Sequence, residues 1–309
     1  MPDKAQIREV GLRDGLQMVK TILTTEQKLE WCRREAAAGV REIEATSFVP
    51  AKVVPQFADA AQTAVGALKV AGCEISALAP NLKGAERAFG IDVRKVNYVL
   101  SASEAHNLAN VRRTTEESLA DFARIVALRD EIAPGAKVGS GIATAFGCTI
   151  AGEVPEARVY KIAERLLTLG VDEIVIADTV GYGDPGQVRR ILSRVIDIAG
   201  ATPVACHFHD TRGLGLANVT AALEAGARAF DSSLGGLGGC PFAPGASGNI
   251  DTEDTAFLLE SLGFDTGVDI DALVELRALV ETWLPGERFV GAIARSGLPK
   301  TYKPAAKAA

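Results

Sequence analysis

Residues 203–233, with the sequence PVACHFHDTRGLGLANVTAALEAGARAFDSS, contain one complete unit of the fold that we predict. A short apolar strand is predicted over Pro203–His209, a helix over Gly215–Ala225 and a second strand over Ala229–Ser233. Gly226 follows the helix, where glycine can adopt the left-handed conformation that ends a helix. This order is typical of a parallel sheet, because the helix returns the chain to the edge where the next strand begins.

The same strand and helix unit repeats along the whole chain. The predicted strands are short and apolar, as strands buried on both faces are. Besides the two strands above, they are Ala5–Val10, Val40–Thr46, Cys73–Ala79, Lys95–Leu100, Lys137–Thr144 and Glu173–Asp178. The predicted helices are Thr25–Ala38, Pro55–Leu68, Leu82–Phe89, Thr115–Ile132, Pro155–Leu169, Asp184–Ile198, Gly215–Ala225, Thr252–Leu262 and a further helix from Asp269 to Trp283.

Eight repeats are compatible with a closed barrel or with an open doubly wound sheet. The closed form is favoured because eight is the barrel number and because no GxGxxG motif follows the first strand. Polar residues also end strands that are spread across the chain, and only a ring brings those ends together. We therefore predict an α/β fold, a (β/α)8 TIM barrel with a parallel eight-stranded core and an extra C-terminal helix. The catalytic domain spans residues 1–285, and the tail, 286–309, is loosely ordered or packs across a barrel face.

Composition excludes several classes of protein. The 309 residues carry a net charge of -6 without a basic stripe, which argues against nucleic acid as a partner. Five cysteines without a CxxC pair fit a reducing compartment rather than a disulfide scaffold. The first residues lack the apolar run of a secretory signal, and no apolar stretch is long enough to span a membrane. We predict a cytoplasmic enzyme with no membrane partner.

His207-Phe208-His209 ends the seventh predicted strand. Side chains two residues apart on a strand point the same way, so both imidazoles face the barrel mouth and can bind one metal ion. The alternative is two separate histidines, one in the core and one on the surface. The chain contains only three histidines, which favours the paired role.

Charged residues also follow the first two strands. Asp14 is a candidate carboxylate ligand, and Arg13 beside it is a cation that keeps its proton and can hold an oxyanion. A simple loop ion pair is the alternative. Glu44 lies in the second strand, where a buried carboxylate needs a partner. An ion pair between Glu44 and Arg13 would satisfy that need and is compatible with a functional role.

The eighth strand leads into residues 235–239, GGLGG, four glycines in five residues. This segment is a phosphate cradle, a lid or a surface loop. Cys240 follows it as a potential nucleophile or acid, and Asn249 downstream offers a neutral oxygen ligand. Two oxygens and two nitrogens suit an octahedral Mg²⁺, Mn²⁺ or Co²⁺ with two positions open for substrate; the four candidate ligands are Asp14, His207, His209 and Asn249.

Five stretches together resemble 3-hydroxy-3-methylglutaryl-CoA lyase, in the metallolyase TIM-barrel superfamily that also holds isopropylmalate and homocitrate synthases. The likeness runs from about residue 5 to residue 265. The last motif is long and specific, whereas the first and fourth are shared across the group. The motifs are VGLRDGLQ (10–17), EATSFV (44–49), PNLKG (80–84), HFHDT (207–211) and GLGGCPFAPGASGN (236–249).

The resemblance implies a metal-dependent carbon–carbon lyase of leucine degradation and ketone body metabolism. It implies cleavage of 3-hydroxy-3-methylglutaryl-CoA to acetyl-CoA and acetoacetate in a retro-Claisen reaction, and a homo-oligomer, a dimer or higher. The implied cofactor is Mg²⁺ or Mn²⁺, with the ligands Asp14, His207, His209 and Asn249. The implied catalytic residues are Arg13, Glu44, Asp178, His207 and Cys240, and the implied acyl-CoA-binding residues are Gln17, Lys20, Asn81 and Lys83.

The chain departs from that family pattern near the predicted mouth. Leu12 stands where the family has proline, Met18-Val19 precede Lys20, and Arg212 replaces a common tyrosine. The end of the fifth strand, residues 139–148, is also atypical. These departures favour, as an alternative substrate, a related thioester such as citramalyl-CoA or a longer 3-hydroxyglutaryl-CoA. A Claisen-type synthase ranks lower, because synthases usually read HxHND and GERxGN at these places. A non-catalytic barrel ranks lowest, because every predicted ligand is present.

Overall fold

Eight parallel strands close into a barrel in the order in which they occur along the chain. The computed structural model describes residues 3–239 and 248–304. Each strand pairs with the next, and the eighth pairs with the first. The predicted (β/α)8 barrel is therefore confirmed. Its strands are β1 (Gln6–Glu9), β2 (Glu42–Ser47), β3 (Glu74–Leu78), β4 (Lys95–Ser101), β5 (Lys137–Ala143), β6 (Glu173–Asp178), β7 (Val204–Phe208) and β8 (Ala229–Ser232).

Helices surround the barrel, and each predicted helix is found. They begin at residues that suit helix starts: Thr24 and Thr114 form capping boxes, and the Asp184 side chain accepts hydrogen bonds ahead of Pro185. Among the described residues, no helix combines the length and apolar character needed to cross a bilayer. The helices are α1 (Thr25–Ala37), α2 (Ala60–Ala67), α3 (Leu82–Phe89), α4 (Glu104–Val111), α5 (Thr115–Ile132), α6 (Glu156–Thr168), α7 (Pro185–Ala199), α8 (Gly215–Glu224), α9 (Thr252–Ser261), α10 (Ile270–Trp283) and α11 (Ile293–Ser296).

Short helical segments are where the structure differs from the sequence-based prediction. The helix predicted from Pro55 starts instead with a 3-10 turn, Pro55–Phe57, and the α-helix begins at Ala60. Neither α4 nor α11 was predicted. The helix α11 has only four residues. The helix α4 has eight, but its buried side chains are the polar His106 and Asn107, so it lacks an apolar stripe; it ends at Arg112, whose φ of 56° lies in the left-handed region.

The tail packs against the barrel instead of being loosely ordered, as far as residue 304. The backbone N–H groups of Ala292 and Ile293 each donate to the Asp254 carboxylate at 2.7 Å. Val290 donates to the carbonyl of Gly235 at 2.8 Å, just after β8. These contacts tie the tail to the start of α9 and to the loop at the carboxyl end of the barrel.

The interior of the barrel is charged near the amino-terminal ends of the strands. Arg8 lies 2.6 Å from Glu173 and 2.8 Å from Asp231, and Lys95 lies 2.7 Å from Glu42 and 2.9 Å from Glu173. All five side chains are at most 12% exposed. Branched apolar residues usually fill this layer of such barrels. Here, removal of one charge would leave a buried partner uncompensated, which is strongly destabilising.

Candidate metal centre and active site

Arg13 and Asp14 are placed by a π-helical turn, Gly11–Gly15, that follows β1. The N–H groups of Asp14 and Gly15 both donate to the carbonyl of Val10, which curls the chain over the barrel mouth. Position 11 has no room for a side chain, because a Cβ atom there would lie 2.7 Å from an oxygen of Glu9 and 3.0 Å from the Trp31 ring. The turn is thus fixed by packing beneath it.

The two histidines converge as their spacing predicts. His207 is inside β7, and His209 follows the strand on the same side. Their Nε2 atoms lie 3.1 Å apart, and Nε2 of His209 lies 3.8 Å from Oδ2 of Asp14. One candidate ligand atom from each of these three residues lies within 4.8 Å of the other two. Both imidazoles are buried, so the alternative of one core and one surface histidine is wrong.

These distances fit a divalent cation. Two ligands about 2.1 Å from an octahedral metal, at right angles, are about 3.0 Å from each other, which matches the separation of the two imidazole nitrogens. Burial lowers the pKa of His209 to about 4, with His207 contributing, so this ring is neutral and can ligate. Burial opposes ionisation of Asp14, but Arg13 and the two histidines hold its pKa at about 2.

Asn249 brings a fourth candidate ligand, a side-chain oxygen, to the cluster. It forms an isolated antiparallel bridge with His209, and its Nδ2 donates to Oδ2 of Asp14 at 2.8 Å and to the carbonyl of Leu237 at 2.9 Å. Its Oδ1 is buried and has no hydrogen-bond partner among the residues that the structure describes. A buried acceptor without a partner is costly. Coordination of a cation would satisfy it.

Arg13 is held beside the cluster by two carboxylates. Its Nη1 lies 2.6 Å from Oδ1 of Asp14, and its Nε donates to Glu44. Glu44 is fixed in turn by Asn97, whose Nδ2 donates to it at 2.8 Å. Burial works against the charge on Arg13, but Glu44 and Asp14 raise its pKa, so it stays a cation. The predicted ion pair between Arg13 and Glu44 is present at the mouth of the barrel.

Asp231 is a residue of the centre that the sequence interpretation missed. Its Oδ2 lies 3.2 Å from Nδ1 of His207, and the same carboxylate contacts Arg8. A carboxylate on the far nitrogen of a metal-binding imidazole fixes the tautomer and orientation of the ring. The sequence carried no signal for this pairing, because Asp231 stands on the next strand and its register with His207 is set only when the strands pair.

Except for Asn249, these side chains line one cavity of about 510 Å³ at the carboxyl ends of the strands. The cavity has a charged wall, formed by Arg13, Glu44 and the three candidate metal ligands Asp14, His207 and His209, which we call the metal cluster. It also has an apolar wall near the entrance, formed by Met18, Val49, Val53, Val54 and Leu78. Its size and mixed lining are those of a small-molecule site.

The family model described as HMGL-like matches residues 4–280. This chain belongs to the HMGL-like family. It is 38% identical over 280 residues to a hydroxymethylglutaryl-CoA lyase of Bacillus subtilis, an alignment that covers 91% of this chain and 93% of that protein. It is 39% identical over 279 residues to the mitochondrial hydroxymethylglutaryl-CoA lyase of Bos taurus, with 90% and 85% covered.

Solved structures agree with this HMGL-like assignment. An HMG-CoA lyase from Acinetobacter baumannii, in complex with coenzyme A and 3-methylmalate, has a TM-score of 0.91 and 41% identity, with 98% of each chain covered. The carboxyl transferase domain of Rhizobium etli pyruvate carboxylase has a TM-score of 0.72 at 14% identity, and 96% of this chain and 51% of that chain are covered. The second likeness concerns the fold alone.

Asp178 of this HMGL-like protein lies at the end of β6 and bonds to the loop that follows. Its carboxylate accepts hydrogen bonds from the N–H groups of Tyr182 at 2.8 Å and Gly183 at 2.9 Å. Burial raises its pKa to about 6, against these two bonds and His207. These two hydrogen bonds shape the rim of the barrel, which is compatible with the supporting role predicted for Asp178.

The residues predicted to bind acyl-CoA are not all near the cavity. Gln17 lines it. In the part of the chain that the structure describes, Lys20, Asn81 and Lys83 lie outside the lining. Both lysines are exposed, and the Asn81 side chain caps α3 by accepting from the N–H of Gly84 at 3.0 Å. Cys240 falls outside the described residues, so its role stays a prediction.

Proposed function

We propose that this protein cleaves 3-hydroxy-3-methylglutaryl-CoA to acetyl-CoA and acetoacetate. The observation that carries the proposal is that Arg13 lies against a three-residue metal cluster inside one cavity. The cluster can bind the oxygens of a substrate, and a fixed cation beside it can stabilise a negative oxygen that develops in the reaction. The names of the relatives, hydroxymethylglutaryl-CoA lyases, support the choice of substrate.

We assign Asp14, His207, His209 and Asn249 as the residues that hold one Mg²⁺ or Mn²⁺ ion. Two oxygens and two nitrogens suit these cations, and the unpartnered Oδ1 of Asn249 supports its place in the set. When bound, such an ion acts as a Lewis acid that lowers the pKa of the C3 hydroxyl of the substrate.

The protein side chains then handle protons and charge. Asp14, through a water, takes the proton of the C3 hydroxyl as the C2–C3 bond breaks, and His207, which pairs with Asp231 through Nδ1, serves as a ligand. Arg13 stabilises the thioester oxygen, which becomes negative only as the enolate forms, so its contribution favours the transition state. Glu44 and Asn97 keep the guanidinium of Arg13 in place. Cys240 or a water returns a proton to C2 of the acetyl-CoA enolate.

Product analysis tests the proposal and separates the alternatives. The purified protein is incubated with 3-hydroxy-3-methylglutaryl-CoA, Mg²⁺ and a thiol reductant, and both products are quantified. We expect acetoacetate and acetyl-CoA in equal amounts. If the protein cleaved citramalyl-CoA to acetyl-CoA and pyruvate but did not cleave 3-hydroxy-3-methylglutaryl-CoA, the proposed substrate would be overturned. Thioester synthesis without cleavage would overturn the direction.

The remaining assignments extend this proposal to the whole chain. Residues 1–285 act as one catalytic domain, which agrees with a family match over residues 4–280. Gln17, Lys20, Asn81 and Lys83 bind the CoA portion of the substrate. The two exposed lysines would offset its negative phosphates on a chain with a net charge of -6. A homo-oligomer in the cytoplasm rests on the resemblance and on the composition of the chain.

A further inference from the structure

Strand β5 contributes almost no side chains to the interior of the barrel. Its inward positions are Gly139, Gly141 and Ala143. A Cβ atom at Gly139 would face Asn97 at 3.0 Å and Glu173 at 3.6 Å, which are both interior residues. A Cβ atom at Gly141 would have its nearest neighbours on β4 at 3.4–3.9 Å, which is ordinary contact. Gly141 therefore faces space that a side chain would fit.

The neighbouring strands line that space with small apolar groups. Val99 on β4 and Val175 on β6 stand on either side of Gly141 in the strand register. Val99 is half-buried, and Val175 and Ala177 keep 7% and 9% of their surface exposed, whereas Ile176, which points outward, is fully buried. The inward residues are open because they line the same cavity as the metal cluster. We call Val99, Gly141, Ala143, Val175 and Ala177 the β5 chamber.

The β5 chamber begins beside the metal cluster and continues into the barrel. Ala177 pairs directly with His207 on β7. Val175 and its partner Gly141 lie two residues deeper, which is about 6.6 Å along a strand. On this side of the cavity, Val99, Gly141 and Val175 stand next to one another, and Asn97 lies two residues deeper on β4.

We propose that the β5 chamber receives the C3 alkyl group of the substrate, and that the enzyme also cleaves 3-hydroxyglutaryl thioesters whose C3 alkyl group is longer than methyl. This inference rests on the proposed function, because it concerns the same site and the same reaction. An apolar chamber is filled favourably by methylene groups. It is a poor place for the substrate carboxylate, because its walls offer no cation and the two arginines of the cavity, Arg8 and Arg13, already face carboxylates.

The reaction balances for every member of this series. The C2–C3 bond breaks, the C3 hydroxyl loses its proton as C3 becomes a ketone, and C2 gains a proton. The products are acetyl-CoA and a 3-oxo acid that retains the alkyl group, so no oxidant or reductant is needed. The alkyl group takes no part in the chemistry, and its length affects only how well it fits the β5 chamber.

The experiment compares kcat/KM for the 3-methyl, 3-ethyl, 3-propyl and 3-butyl thioesters, with acetyl-CoA release as the measure. We expect the wild-type protein to cleave the propyl thioester with kcat/KM within about tenfold of the methyl value. In Gly141→Val, the ratio of propyl to methyl kcat/KM should fall by at least about tenfold, because one methylene in an apolar pocket is worth about that much. In Val175→Ala, the same ratio should rise.

The matched control is Ile142→Val, one residue along β5 and facing the helices, which should leave the ratio unchanged. Thermal unfolding of each variant checks that the barrel folds. A wild-type enzyme that cleaves the methyl thioester and rejects the ethyl one would overturn this inference, as would a Gly141→Val variant with an unchanged ratio. Failure to cleave any member of the series, methyl included, would overturn the proposed function instead.

Discussion

Asp231 holds His207 from the neighbouring strand, with Oδ2 of the carboxylate 3.2 Å from Nδ1 of the imidazole. The two residues are in register on β8 and β7. Because Nδ1 is occupied in this way, the other nitrogen, Nε2, points toward His209 and Asp14. A carboxylate in this position raises the basicity of an imidazole ligand and fixes its orientation.

Replacement of Asp231 by asparagine should therefore weaken metal binding. We expect the Kd for Mn²⁺ in Asp231→Asn to rise about 10- to 100-fold, the usual effect of losing such a partner, as measured by isothermal titration calorimetry. Cys206→Ala is the control, since Cys206 precedes His207 in β7 and is buried on the outer side of the barrel. An unchanged Kd in Asp231→Asn would show that Asp231 serves only the charged layer inside the barrel.

Gly238 should be required for the position of Asn249. A Cβ atom at Gly238 would lie 2.4 Å from Nδ2 of Asn249 and 3.3 Å from Oδ2 of Asp14, and the residue has a φ of 132°. Gly238→Ala should thus displace Asn249 and raise the Kd for Mn²⁺ by at least about tenfold. Gly239→Ala is the matched control, because the nearest atom to a Cβ there is 3.8 Å away, on Met18. Equal affinities in the two variants would contradict a ligand role for Asn249.

Arg13→Gln should separate metal binding from turnover. The amide cannot supply the fixed positive charge that the forming enolate oxygen needs. We expect kcat to fall by about 10²- to 10³-fold, as when one preorganised donor is removed, while Mn²⁺ binds within about threefold of the wild-type affinity. Arg41→Gln, at an exposed arginine just before β2, should change neither value. Near-normal turnover in Arg13→Gln would refute the assigned role.

The stability of the protein should depend on the protonation of Glu9. This side chain is fully buried, where it accepts hydrogen bonds from Gly11, Leu234 and Thr252. Burial raises its pKa to about 8 from an ordinary 4.5, with Glu253 adding to the rise. Between these two values the folded state holds a proton that the unfolded state lacks. The contribution of Glu9 to the stability of the protein is therefore fully present below pH 4.5 and is lost as the pH rises towards 8.

Glu9→Gln should remove this part of the pH dependence. The amide keeps an acceptor for the two N–H groups and cannot ionise. Chemical denaturation at pH 5 and pH 8 should show that the wild-type free energy of unfolding drops by more between these values than that of Glu9→Gln, by about 1 kcal/mol or more. A larger drop in the variant than in the wild-type protein would contradict the buried, protonated state of Glu9.

The long elements of the fold could be predicted because their patterns are local. Buried strands are short apolar runs. Helices such as α5 begin after a capping residue, here Thr114, which forms a capping box with Glu117. The helix α4 could not be predicted in the same way. Its buried side chains, His106 and Asn107, are polar and give no apolar stripe, and the helix is fixed by Ser103 and by contacts with the barrel rim.

The site could be predicted only as far as its residues lie next to recognisable motifs. His207 and His209 follow from strand parity, and Asp14 follows from its place after β1. Asp231 and the β5 chamber depend on which residues of neighbouring strands stand in register, and no single strand carries that information. The register emerges only when the ring closes, so the partners of the predicted residues had to come from the structure.

The central claim is that Asp14, His207, His209 and Asn249 hold one divalent cation. Electron spin echo spectroscopy of the protein loaded with Mn²⁺ tests it most directly, because ¹⁴N couplings count the imidazoles bound to the ion. We predict one Mn²⁺ per chain with two imidazole nitrogens in the wild-type protein, and one nitrogen in His209→Gln. Stoichiometric Mn²⁺ without imidazole couplings, or no binding at all, would contradict the claim.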